Sequence, residues 1–194
     1  MALSISILYG SVRDGRLGIR FAKYLEQALK ARGHKPVLID PLEYDLPLLR
    51  KRYSDYKPGE KIPANLAKLH DILASSDAYL LVSAEYNHTA PPALTNLLDH
   101  FYAEYAQKPS AIATYSYGPF GGVRAAMTLR AMLGELGCGS IQKTLPCPAV
   151  HEAFDETGKP NDAAAWQKRS DGFLEQLEWY AEALKAARGK AKKK

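Results

Sequence analysis

Two hydrophobic periodicities alternate along the chain. Leu3, Ile5, Ile7 and Leu8 make a short strand-like run that ends at Gly10-Ser11, and a helical pattern follows, with Phe21, Ala22, Leu25 and Leu29 at three- and four-residue spacing. Residues 35–39 read as a second strand, closed by Asp40-Pro41. Residues 41–61, rich in Pro, Tyr and charge, read as an irregular surface loop, a candidate lid or subunit contact. A helix is predicted over 63–75, with Leu66, Leu69, Ile72 and Leu73 inward. The unbroken apolar run at 78–83 is what a central parallel strand buried on both faces looks like. Pro91-Pro92 opens the next helix, since proline suits a first turn, and Leu94, Leu97, Leu98 and Phe101 form its inner face. A fourth strand (110–116), a helix opened by Gly121-Gly122 and carrying Val123, Ala126, Leu129, Leu133 and Leu136, and a fifth strand (139–145) follow. A last helix over 163–187 has Trp166, Phe173, Leu177, Tyr180 and Leu184 on one stripe.

Five strands alternating with five helices predict an α/β fold, a doubly wound parallel sheet covered on both faces. No repeat or linker divides it, so residues 1–187 are expected to be a single domain. Such a sheet binds its ligand at the carboxyl ends of its strands, where the strand order switches. The loops after strands one, three and four are therefore where chemistry is expected.

Composition narrows the classes. The chain has 194 residues, 46% of them hydrophobic and 24% charged, as in a soluble globular protein. No apolar run approaches the ~20 residues that span a bilayer. The N-terminus has no signal-peptide pattern. Two cysteines, Cys138 and Cys147, are too few for a disulfide framework, and a reducing, cytoplasmic setting is expected. The net charge of +5 is matched by Arg188, Lys190, Lys192, Lys193 and Lys194 at the C-terminus. Residues 188–194 are expected to be a disordered basic tail, and neither nucleic-acid nor membrane binding is expected. His34, His70, His100 and His151 are dispersed and show no metal-ligand spacing, so no metal is expected.

The first loop, Gly10-Ser11-Val12-Arg13 with Arg16, combines backbone donors, a hydroxyl and two guanidinium groups at the start of a helix. This is the chemistry of a phosphate site. Gly10 and Gly15 have nucleotide-hydrolase spacing, but Arg16-Leu17 replaces the Lys-Ser/Thr pair, and no G-x-G-x-x-G is present. The third-strand loop carries Glu85-Tyr86-Asn87 and the fourth carries Ser116-Tyr117-Gly118 and Gly121-Gly122. Together they suit a planar heteroaromatic with a phosphate tail. Tyr86 would offer a stacking face, Asn87 would read the polar edge of the ring, and the glycines would permit close backbone approach.

Gly10-Ser11-Val12-Arg13-x-x-Arg16, Glu85-Tyr86-Asn87 with Pro91-Pro92-Ala93-Leu94-Thr95-Asn96-Leu97-Leu98-Asp99, and Ser116-Tyr117-Gly118-x-x-Gly121-Gly122 resemble the NAD(P)H-dependent FMN reductase family, which includes quinone and azo-dye reductases. The resemblance implies a flavodoxin-like sheet of order 2-1-3-4-5 and FMN as cofactor, with NADPH or NADH as co-substrate. It implies a small-molecule acceptor such as a quinone, an azo compound or free flavin, and a homodimer or dimer of dimers. It places the FMN phosphate on Ser11, Arg13 and Arg16, and the isoalloxazine on 85–87, Ser116, Gly118, Gly121 and Gly122. Tyr117 and Gly18 complete the candidate cofactor set. No side chain is expected to be a catalyst in its own right, because the chemistry lies on the flavin. Two positions depart from the family pattern: Thr95 stands where many members have lysine, and Arg16 where many have serine. The rival reading is a flavodoxin-type electron carrier without NAD(P)H turnover. Such carriers are usually strongly acidic, which this chain is not.

Overall fold

A computed structural model describes residues 1–191. Five strands, β1 (Ser4–Tyr9), β2 (Lys35–Ile39), β3 (Ala78–Ala84), β4 (Ser110–Tyr115) and β5 (Ser140–Cys147), pair in parallel in the order β2-β1-β3-β4-β5. Each strand places alternate residues on opposite faces, and the two faces have different cores. Ile5, Ile7 and Tyr9 of β1, Leu80 and Val82 of β3, and Ala111, Ala113 and Tyr115 of β4 face α1 (Gly18–Ala31) and α7 (Ala163–Ala191). Leu8, Tyr79, Leu81 and Ile112 face α3 (Ala64–Ser75), α4 (Pro92–Asp99) and α5 (Val123–Glu135). Every residue of β3 and β4 is buried, which explains why those runs show no polar alternation.

The helices bury the stripes that their sequences display. Phe21, Ala22, Leu25 and Leu29 of α1 are fully buried. Phe21, Tyr24, Phe154 and Trp166 form an aromatic cluster between α1 and α7, with ring centroids 4.7–5.9 Å apart. Such pairs add about 0.5–1.5 kcal/mol each beyond their buried area.

Several expectations are corrected. Residues 41–61 are not wholly irregular: Asp40 caps a short helix α2 (Pro41–Tyr44) by accepting the Leu42 N–H at 3.1 Å. The rest of the segment is tied to the fold by side-chain contacts. Asn96 accepts the Leu49 N–H at 2.9 Å and donates to the Pro47 carbonyl at 3.0 Å, and the Tyr53 ring stacks on His70 with centroids 3.8 Å apart. A further short helix, α6 (Val150–Ala153), follows β5. On α7, Tyr180 is exposed, and Ser170, Leu174 and Ala181 complete the buried stripe. That helix continues through Ala191, so Arg188–Ala191 are helical instead of disordered, and Arg188 donates to the Gln107 carbonyl at 2.7 Å. The rest of the expected tail lies outside the described residues.

Gly18 has a packing role. A Cβ built there would lie 2.0 Å from Cζ of the Tyr115 ring, which is itself buried and stacked on Tyr9. Gly18→Ala is therefore expected to destabilise the fold by about 1–3 kcal/mol, the usual range for overpacking. Urea denaturation is the measurement, and unchanged stability would refute this packing account.

Candidate functional site

The carboxyl ends of β1, β3 and β4 converge on a cleft of about 330 Å³. Its walls are the loop after β1 (Ser11, Arg13, Asp14, Gly15, Arg16, Leu17), the end of β3 and the following loop (Ala84, Glu85, Tyr86), Tyr115, Ser116 and Tyr117 at and beyond the end of β4, and Val150. A larger depression of about 700 Å³ lies at the amino ends of β1 and β2, among Met1, Arg32, His34 and Glu178. Its carboxylates are already engaged: Glu178 is paired with Arg32 and His34, and Glu182 with the N-terminal amine. The cleft at the strand carboxyl ends is the better candidate, because it lies at the switch in strand order between β1 and β3.

Loop one is built around Ser11, whose hydroxyl is buried and lies 2.9 Å from the Tyr86 hydroxyl. The exposed Arg13 guanidinium sits over the Tyr86 ring, 5.7 Å from its centroid, and forms no ion pair with any described residue. The backbone N–H groups of Val12, Asp14, Gly15 and Arg16 make no hydrogen bond to any described residue. A hydroxyl, an unmatched cation and a run of free N–H groups form a donor set for a multivalent anion. The FMN phosphate is a dianion, so the donors present fit it.

Arg16 has a different position from the one expected. Its guanidinium is engaged with both carboxylate oxygens of Asp40, and it donates to the Ser11 carbonyl at 2.8 Å. The hydrogen bond to Asp40 holds its pKa above the ordinary arginine value. Arg16 thus ties loop one to the end of β2, so its charge is neutralised within the chain. Tyr86 also departs from expectation. Its hydroxyl points to Ser11 and its ring carries Arg13, so it belongs to the loop-one end of the cleft and is not a free stacking face.

Glu85 is largely committed to the fold. Its carboxylate accepts the N–H groups of Arg124 at 2.8 Å and Ala125 at 3.3 Å and pairs with the Arg124 side chain, capping α5 from the neighbouring loop. Asn87 and His88 are both exposed at positive φ, at the tip of a two-residue turn that Tyr86 and Thr89 close with reciprocal 3.0 Å hydrogen bonds. Neither lines the cleft. Gly18, Gly118, Gly121 and Gly122 do not line it either. A Cβ on Gly121 would meet Pro146 at 2.9 Å, and one on Gly122 would meet the Tyr115 carbonyl at 2.7 Å, both at positive φ. These two glycines let the chain turn tightly over β4 and β5. Of these four glycines, Gly118 alone has open space around it.

Sequence reading passed over Tyr115, Asp14 and Val150. Tyr115 looked like an ordinary strand residue, but its hydroxyl donates to that of Tyr9 at 3.1 Å, and burial pushes both phenols above their ordinary pKa. Both remain protonated and make a rigid polar floor. Val150 follows the fifth strand, and the carboxyl end of that strand was the signal that would have found it. The two cysteines are buried, and burial pushes each thiol up to about 12, so neither is a nucleophile at neutral pH. Among the described residues no cluster of His, Cys, Asp or Glu can hold a metal, and no helix is long and apolar enough to cross a membrane.

The sequence profile of the NADPH-dependent FMN reductase family matches residues 3–169. A quinone reductase of Pseudomonas putida strain KT2440 is 31% identical, over 82% of this chain and 85% of its own. A quinone reductase of Escherichia coli strain K12 is 30% identical, over 68% and 69%. Among solved structures, FerB, a flavoenzyme NAD(P)H:(acceptor) oxidoreductase from Paracoccus denitrificans, shares the fold with a TM-score of 0.71 and 23% identity, covering 92% of this chain and 99% of that one. With the sheet order, the position of the cleft and its donor set, these matches show that the chain is an enzyme of the NADPH-dependent FMN reductase family.

Proposed function

We propose that the cleft binds FMN and that the enzyme transfers reducing equivalents from NADPH or NADH to a small acceptor such as a quinone, an azo compound or free flavin. The observation that carries this reading is the unmatched donor set of loop one at one end of a cleft reaching to the ends of β3 and β4. FMN held there would supply the redox chemistry between the nicotinamide and the acceptor.

The chain's own groups bind and position. Ser11, Arg13, the Tyr86 hydroxyl and the loop-one N–H groups hold the phosphate. Arg16, fixed by Asp40, holds the loop in shape. The backbone at Glu85 and Tyr86, with Ser116, flanks the ring; Gly118 borders the ring from outside the cleft lining, and Tyr117 stands at the rim of the cleft. Gly18, Gly121 and Gly122 act through the fold, and Asn87 through its turn. We further propose that the chain works as a homodimer in the cytoplasm. Leu94, Leu97, Leu98, Phe101 and Tyr105 are buried within the chain and do not support this. The support comes from Phe120, Val123 and Met127, apolar residues left 62%, 40% and 65% exposed on and just before α5.

Arg13→Ala is expected to weaken FMN binding roughly ten- to a hundred-fold, the equivalent of one charge-assisted contact, while turnover at saturating FMN is retained. Riboflavin is expected to bind wild type much more weakly than FMN. Calorimetry with both flavins is the check, and equal affinity would remove the phosphate assignment. Gly118→Val is expected to leave thermal stability unchanged, because a side chain there meets open space, yet to raise the FMN dissociation constant. A variant that binds FMN normally would exclude Gly118 from the ring site.

Sedimentation at low micromolar concentration is expected to give twice the chain mass of 21.4 kDa. A fully active monomer would contradict the dimer. At pH 8 both thiols are expected to resist a disulfide reagent in the native protein and to react in denaturant, since their pKa values of about 12 leave almost no thiolate. Rapid native labelling accompanied by loss of activity would restore a thiol mechanism.

A further inference from the structure

Tyr117 and His151 form a feature of the cleft that the flavin reading leaves unexplained. Their rings stack with centroids 3.8 Å apart and planes 7° off parallel. His151 lies on α6, after β5, and Tyr117 lies in the loop after β4. Three backbone hydrogen bonds clamp these segments together: the Ser116 N–H to the Cys147 carbonyl at 3.1 Å, the Val150 N–H to the Ser116 carbonyl at 3.1 Å, and the Ala149 N–H to the Gly118 carbonyl at 3.3 Å. Ala149 adopts a left-handed conformation, φ 44°, just before His151. Backbone in this region costs a non-glycine residue free energy and persists only where the surroundings impose it.

The His151 ring packs against Tyr117 on one side. Its Nε2 lies 3.2 Å from the Glu152 carboxylate, and its Nδ1 is buried without a hydrogen-bond partner among the described residues. The imidazole is a flat backing plate, stacked on the phenol and carried by a segment that the three backbone hydrogen bonds clamp to the Tyr117 loop. Tyr117 lies against it, lines the cleft and is still 70% exposed. One face of the phenol is covered and the rest is offered at the rim, away from the buried hydroxyls of Ser11 and Tyr115 on the floor.

We propose that His151 is a positioning residue that holds Tyr117 as an aromatic wall at the mouth of the cleft, and that this wall selects planar aromatic acceptors over compact inorganic ones. The proposal rests on the flavin-reductase reading and names the acceptor class that this site favours. A loop tyrosine free to rotate would lose conformational entropy each time a ring stacked on it. The stack on His151 fixes the phenol before the visitor arrives, so more of the contact is retained as affinity.

The test uses the FMN-loaded protein with His151→Ala and His151→Phe. Binding of menadione, a planar naphthoquinone, is measured by calorimetry without NADPH or NADH, so the readout does not depend on turnover. His151→Ala is expected to weaken menadione binding about two- to tenfold, the scale of one lost aromatic arrangement. His151→Phe, which keeps a flat ring behind Tyr117, is expected to stay within about twofold of wild type on the same scale. FMN affinity and ferricyanide reduction are expected to be unchanged in both variants.

Wild-type menadione affinity in His151→Ala would overturn the proposal. So would a His151→Phe variant as weak as His151→Ala, which would assign the effect to the imidazole nitrogens. A loss that appears in FMN affinity would overturn it too, because the wall would then belong to the cofactor. Failure of the wild-type protein to take up FMN is a separate result: it would overturn the parent reading, and this proposal with it.

Discussion

The geometry of the site depends on the contact between the Tyr115 ring and the bare Cα of Gly18. Tyr115 ends β4 and Gly18 begins α1, so this contact sets the distance between the fourth-strand loop and the first. The ring fits only because position 18 has no Cβ. Below the cleft it stacks on Tyr9, with centroids 6.2 Å apart, and the two hydroxyls are joined. Tyr9 in turn lies under the Arg16 guanidinium, 5.2 Å from it, and Arg16 reaches Asp40 at the end of β2. Phenols and one ion pair thus link four of the structural segments that meet at the carboxyl edge. Loop one can leave its own N–H groups without partners because these side chains hold it in place.

The fold was legible in the sequence because its signals are local and redundant. The buried run in β3, the stripe on α1 and the prolines opening α4 each follow from a short stretch of residues, and the alternation of elements restricts them to a parallel sheet. The errors fall where a contact from elsewhere in the chain decides the outcome. The segment around Pro47 is tied down by Asn96, almost fifty residues away. The extent of α7 depends in part on Arg188 finding the Gln107 carbonyl. None of these partners can be read from the segment itself.

The site was legible as a set of loops and much less so as a set of roles. Glycines, hydroxyls, aromatics and the loop-one arginines mark three strand ends as one region, and Ser11, Arg13, Tyr86, Ser116 and Tyr117 do line a common cleft. Charge alone, however, does not distinguish an arginine kept for a ligand from one matched inside the chain. Arg13 is unmatched and Arg16 is paired with Asp40, and only the fold separates them. The glycines carry a similar ambiguity. Gly121 and Gly122 read as room for a cofactor, but that room is taken by Pro146 and the Tyr115 carbonyl. Glu85 reads as a polar group for the ring, but its carboxylate caps α5. In each case the residue type reports a physical need, and only the tertiary partner identifies which need it meets.

The strand order also has a consequence for how the chain is made. β1 is an interior strand, flanked by β2 on one side and β3 on the other, and no two neighbouring strands form a hairpin. As the chain leaves the ribosome, β1 can pair with β2 once Ile39 has emerged, but its other edge waits for Ala84. At synthesis rates of about 5–20 residues per second, that interval is roughly 2–9 s. Until then the nascent β1–α1–β2 unit presents an apolar edge, with Ile5, Ile7 and Tyr9 along it, and such an edge is a template for pairing with another chain. The half-made protein is therefore most exposed to misassembly at the strand whose carboxyl end carries loop one.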